Sequence, residues 1–115
     1  MAIGKGIILN RKLMLEAPVR TPDGAGGFVE TWAALGSLWA RIELRAGNEN
    51  AGQFGSESVV SYKILVRAAP VASPARPRPE QRLREDGRIF RIQAVTEWDQ
   101  AGLYLVCFAR EEVLS

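Results

Sequence analysis

The sequence predicts an all-β protein, a small antiparallel β-barrel or sandwich of about six strands with one long loop and little helix. Three observations predict it. Apolar and polar residues alternate with a period of two along several short runs. Glycine- and aspartate-bearing turn signals join those runs at hairpin spacing. No stretch carries the apolar stripe of an amphipathic helix.

The length of 115 residues suits one core and hardly two, so residues 1–115 are expected to form a single domain. An apolar fraction of 47% with 24% charged residues is ordinary for a globular chain. No run approaches the roughly 20 apolar residues a membrane helix needs, so no membrane association is expected. The N-terminus from Met1 to Leu9 is only mildly apolar and no small-residue cleavage site follows, so no export signal is read. One cysteine and no histidine leave no intramolecular disulfide, no ordinary zinc site and no histidine-based triad. Cys107, within Leu103–Phe108, reads as a small core hydrophobe. A net charge of +2 points to no partner.

In chain order, a first strand is expected over Lys12–Ala17, running out past Pro18 and Pro22 because proline suits a strand end. Asp23-Gly24-Ala25-Gly26-Gly27 tolerates positive φ and reads as a hairpin loop. Phe28–Trp32 and Leu38–Leu44 then read as the central pair of strands, with Ala33–Ser37 making a turn of helix between them. In the second run Leu38, Ala40, Ile42 and Leu44 share one face, and Trp39, Arg41, Glu43 and Arg45 the other. The segment Gly47, Asn48, Glu49, Asn50, Ala51, Gly52, Gln53, Phe54, Gly55, Ser56, Glu57 and Ser58 is small, polar and glycine-rich with one aromatic. Loops of that length are usually functional or disordered, so it is the first candidate functional segment; a mobile hairpin connection is the bland alternative.

Val59–Arg67 is a strand with Val60, Tyr62, Ile64 and Val66 on one face. Pro70, Pro74, Pro77 and Pro79 impose an extended, non-helical spacer. Gln81–Arg84 and Arg88–Thr96 form a hairpin turned at Glu85-Asp86-Gly87, with Phe90, Ile92 and Ala94 on one face. Asp99-Gln100-Ala101-Gly102 turns a last hairpin between Val95–Trp98 and Leu103–Arg110. The expected core residues are Trp32, Trp39, Ile42, Tyr62, Ile64, Phe90 and Ile92.

The carboxylate pairs Glu85-Asp86, Glu97 with Asp99, and Glu111-Glu112 sit at turns or the terminus, where solvation explains them. The glycines at 24, 26 and 27 lack the strand–helix context of a phosphate loop. The arginines 76, 78, 82, 84, 88 and 91 form the densest charge cluster, offset by Glu80, Glu85 and Asp86. They suit phosphate, an acidic neighbour or a salt-bridged hairpin face. Phe90 alternates inward with Ile92, which weakens a single-strand nucleic-acid reading. No residue set supports an enzyme, and no cofactor is implied.

The distributed pattern of Pro18, Asp23–Gly27, Trp32, Trp39-Ala40-Arg41-Ile42-Glu43, Tyr62–Arg67, Arg82 and Gly87–Ile92 resembles the head-tail joining proteins of tailed bacteriophages and gene transfer agents, also called head-closure or stopper proteins. The sequence departs from that pattern at Tyr62, where relatives often carry histidine, and in its proline density. The resemblance implies a small β-barrel subunit, made in the bacterial cytoplasm, that sits in the particle neck as a homo-oligomeric ring, a hexamer. It implies contact with a portal-bound adaptor and with a tail terminator or tail tube protein, closure of the DNA channel after packaging, and packaged DNA passing through the lumen. Gly47–Ser58 is then the channel or gating loop, and Arg76, Arg78, Arg82, Arg84 and Arg88 the adaptor or tail interface. Reversing Arg82 and Arg84 to Glu is expected to abolish joining while leaving the subunit folded. A free-standing nucleic-acid-binding small β-barrel is the alternative.

Overall fold

The computed structural model describes the backbone of residues 7–49 and 58–112 and, within these, the side chains of all but 46–49 and 58–59. Six strands follow one another: β1 (Arg11–Pro22), β2 (Phe28–Glu49), β3 (Ser58–Arg67), β4 (Arg82–Glu85), β5 (Arg88–Glu97) and β6 (Tyr104–Glu112). Every pairing is antiparallel, and the order β1-β2-β3-β6-β5-β4 closes on itself as a barrel. Among the described residues there is no helix.

The turn chemistry acts as expected at the hairpins. Gly24 and Gly26 hold φ of 83° and 90° between β1 and β2, while the Asp23 carboxylate accepts from the backbone N–H groups of Ala25 and Gly27. Glu85 pairs with Arg88, so Asp86 and Gly87 alone make the β4–β5 turn, with Asp86 at φ 52°. Asp99 accepts from the N–H groups of Leu103 and Tyr104 at the last turn.

Three expectations about the strands and their connections are corrected. Phe28–Trp32 and Leu38–Leu44 are not paired strands with a helical turn between them; they are two parts of the single 22-residue β2, both laid against β1. The intervening residues are absorbed by a bulge, in which Leu15 faces Gly36 and Glu16 faces Ala34, leaving Leu35 as the extra residue and Gly36 at φ 145°. Phe90 and Ile92 face the core, but a second bulge between Ile92 and Ala94 turns Ala94 outward and Val95 inward. The proline segment is non-helical yet not extended. It folds through successive turns, with Ser73 N–H bonding Pro70 O, Arg76 N–H bonding Ser73 O and Gln81 N–H bonding Arg78 O, and it buries Pro77.

Because β2 outruns its neighbours, two hairpins leave the barrel in opposite directions. Beyond Glu16 and Ala34, β1 and β2 continue as a two-stranded arm paired out to Pro22 and Phe28. At the other end β2 and β3 pair as far as Glu49 and Ser58. The molecule is 57 Å in its longest dimension as a result.

The core is the inward row of Leu13, Leu15, Ala40, Ile64, Val66, Leu83, Phe90, Ile92, Leu105, Cys107 and Ala109. Ile42 and Tyr62 pack against it half-buried. Trp39 does not belong to it. It is 56% exposed, because its neighbour Ala40 points inward and period-two alternation sends Trp39 outward. Leu44, at the barrel's end opposite Tyr62, is 66% exposed. Burial pushes the Cys107 thiol up to about 12, with Arg76 drawing it back only slightly. Native protein should therefore resist maleimide at pH 8, and mass spectrometry should detect labelling only as denaturant unfolds the chain. Rapid native labelling would contradict this burial.

Candidate assembly surface

Of the arginine cluster predicted from sequence, β4 and β5 carry Arg82, Arg84, Arg88 and Arg91, mostly set onto partners within the chain. Leu83 points inward, so Arg82 and Arg84 point outward toward β1. There Glu16, only 5% exposed, accepts Arg82 Nε at 2.6 Å on one oxygen and Arg84 Nε at 2.9 Å on the other. Burial pushes the Glu16 carboxyl up, but the two arginine hydrogen bonds outweigh it and hold the group below its ordinary range. Trp32 is half-buried beside this pair, with the Arg82 guanidinium 4.1 Å and the Arg91 guanidinium 5.1 Å from its ring centre. Trp32 therefore fastens the root of the arm to the outside of the barrel and does not fill the core.

A second charged layer closes the barrel end near the β2–β3 hairpin. Arg11 meets Glu85 through two hydrogen bonds of 2.6 and 2.7 Å, and Arg88 meets Glu111 through two of 2.8 and 3.1 Å. Arg88 also donates to the Tyr62 hydroxyl at 3.3 Å and lies 4.9 Å from the Phe90 ring centre. The paired arginines hold both Glu85 and Glu111 below the ordinary carboxylate range. Tyr62 meets Phe90 edge to face at 5.3 Å, so this polar lid rests directly on the core.

Arg76 and Arg78 donate to the backbone carbonyls of Ala69 and Val71 and brace the proline segment. Of the arginines 76, 78, 82, 84 and 88, each has a hydrogen-bond partner inside the chain. Their spacing in sequence signalled a charged hairpin. It could not reveal Glu16 as the partner of Arg82 and Arg84, or Arg11 as the partner of Glu85, because β1 and β4 meet only on barrel closure. Of the expected gating loop, Gly47, Asn48, Glu49 and Ser58 lie in the β2–β3 hairpin, and residues 50–57 lie outside the described residues.

The exposed apolar side chains collect outside the barrel. Val19, Phe28 and Val29 stand on the arm, with Phe28 65% exposed. Trp39 borders an open cleft of about 460 Å³ lined also by Ile7, Leu9, Leu38 and Tyr104, with Arg67 the charged residue of its wall. Such surfaces suit protein contact; the cleft carries no set of convergent acid–base groups.

A family model for the phage head completion protein matches residues 5–112. A chain from the virion of a native gene transfer agent particle is 55% identical, with a TM-score of 0.81 over 94% of this chain and 98% of that one. Protein SF1141 from Shigella flexneri 2a, solved in solution, is 21% identical with a TM-score of 0.64 over 96% of both chains, a likeness of fold alone. None of the curated proteins matches.

Proposed function

Because the chain belongs to the phage head completion protein family, we propose that it is the head-closing, or stopper, subunit of a tailed phage or gene transfer agent particle. The observation that carries this reading is the 55% identical chain of a gene transfer agent virion, matched over nearly the full length of both. The subunit is a structural protein of the neck. It forms a hexameric ring between a portal-bound adaptor and the tail terminator or tail tube, with packaged DNA in the lumen and the β2–β3 hairpin turned toward it.

The fold supports assembly of this kind. A closed barrel offers no free edge along its wall, so neighbours meet through side-chain surfaces and through the two projecting hairpins. The arm and the Trp39 cleft lie at different places on one molecule, as the head-to-tail interfaces of a ring require. A free-standing nucleic-acid binder draws less support, since Arg82, Arg84 and Arg88 are already engaged by Glu16 and Glu111 within the chain.

Cryo-electron microscopy of purified particles tests the reading. The expected result is a ring of this chain between portal and tail, with the β2–β3 hairpins pointing inward. A neck with no density for the chain would overturn the ring, and hairpins on the outer rim would overturn their assignment to the lumen.

A further inference from the structure

We infer that the outer wall of the barrel across β3, β5 and β6 is a docking surface for a carboxylate-rich segment of a neighbouring particle protein, centred on Arg110. Barrel closure builds a row that the sequence does not display: Arg82 faces Arg91 across β4 and β5, and Arg91 faces Arg110 across β5 and β6. All three point outward, because Leu83, Ile92 and Ala109 beside them belong to the core. The row continues toward Lys63, which lies beside core Ile64, and toward Arg45, whose guanidinium stands 5.0 Å from the Phe108 ring centre.

Against these five cations the chain sets two carboxylates, one of them shared with a sixth cation. Glu16 is held by Arg82 and Arg84, and Glu112 stands 3.6 Å from Arg91 with its Oε1 buried and making no hydrogen bond among the described residues. Glu43, opposite Lys63, is committed to Arg41 at 2.6 Å. Arg110 is exposed, and neither it nor Lys63 has a hydrogen-bond or ion-pair partner among the described residues. Like charges directly opposite on neighbouring strands repel, so the subunit carries a repulsion that an anionic partner relieves.

Carboxylate fits this surface better than nucleic acid. The ring faces that base stacking needs are occupied, Phe108 by Arg45 and Trp32 by Arg82 and Arg91. The outside of a barrel is convex and meets few phosphates of a duplex, whereas arginines carried on adjacent strands, themselves about 5 Å apart, can each take a side-chain carboxylate bidentately. The inference rests on the neck reading for where the partner sits, not for its chemistry.

The test uses the whole isolated chain with two probes, a labelled hexaglutamate peptide and a short duplex DNA, titrated at several salt concentrations. Wild type should bind hexaglutamate in a salt-sensitive way and more tightly than the duplex. Arg110→Glu should weaken peptide binding by about tenfold or more with an unchanged melting curve, and Lys63→Glu should weaken it too. Arg110→Lys should retain most of it. Unchanged binding in Arg110→Glu, or tighter binding of duplex than of peptide, overturns the inference. A ring in the particle map alongside unchanged peptide binding defeats this surface alone. An empty neck alongside lost peptide binding defeats the neck reading alone.

Discussion

Reversing Arg82 and Arg84 to Glu should unfold the subunit outright. The geometry thereby replaces the sequence-based expectation of a folded variant that merely fails to join. Glu16 is buried with each carboxylate oxygen on one of these arginines, and the double reversal puts three carboxylates where one was neutralised. Breaking a buried pair by removing one partner costs about 3–5 kcal/mol, a large part of the 5–15 kcal/mol typical of a domain. Glu16→Gln, which strands the two arginines beside Arg91, should cost about 3 kcal/mol. Arg84→Gln should cost less, because its side chain is 41% exposed and water screens its share. Urea unfolding followed by tryptophan fluorescence reads all of these; a stable, cooperative double-reversal variant would show that the clasp is dispensable. The same carboxylates set the acid limit. Glu16, Glu85 and Glu111 each titrate below their ordinary value of 4.5 when folded. Their contribution is therefore complete above the unfolded value and is lost as pH falls through the folded ones.

Phe90→Ala should cost about 3–5 kcal/mol, the range for emptying an aromatic site in a core that cannot collapse around the void. Phe90 is 0% exposed, faces Leu83 across the short β4, and supports both Tyr62 and Arg88. Its loss removes packing and also the floor beneath the Arg88–Glu111 layer. Phe90→Leu should recover more than half of the loss. Chemical denaturation distinguishes the two, and an alanine variant within about 1 kcal/mol of wild type would mean that the core is more plastic than its burial implies.

What sequence reasoning reached follows from what local chemistry encodes. The three described turns at Asp23–Gly27, Asp86-Gly87 and Asp99–Gly102 were legible because only certain residues take those dihedrals, and the alternation in β3 because its inner face is apolar but for the Tyr62 hydroxyl. The bulges were not legible. Nothing local marks Leu35 or Gln93 as an extra residue, since a bulge is defined by the partner strand. Trp39 shows a different failure: size suggested the core, while alternation in the same run already placed it outside with Arg41. Nothing in the sequence singled out Glu16, because its two arginines lie 66 and 68 residues away. The Arg82–Arg91–Arg110 row was invisible for the same reason, being spread over three strands.

The seam that closes the barrel is short: Met14, Leu15 and Glu16 against Arg84, Leu83 and Arg82. It joins one of the first strands to leave the ribosome with one made much later, so its contacts come only after a long chain segment has been ordered. Loop closure of that span is entropically unfavourable until the intervening strands are in place, which makes the seam a late event in folding. By the same logic it is the first place for a closed subunit to come apart. The Glu16 clasp then matters chiefly for how long the subunit stays shut, and weakening it should raise the opening rate more than it slows folding.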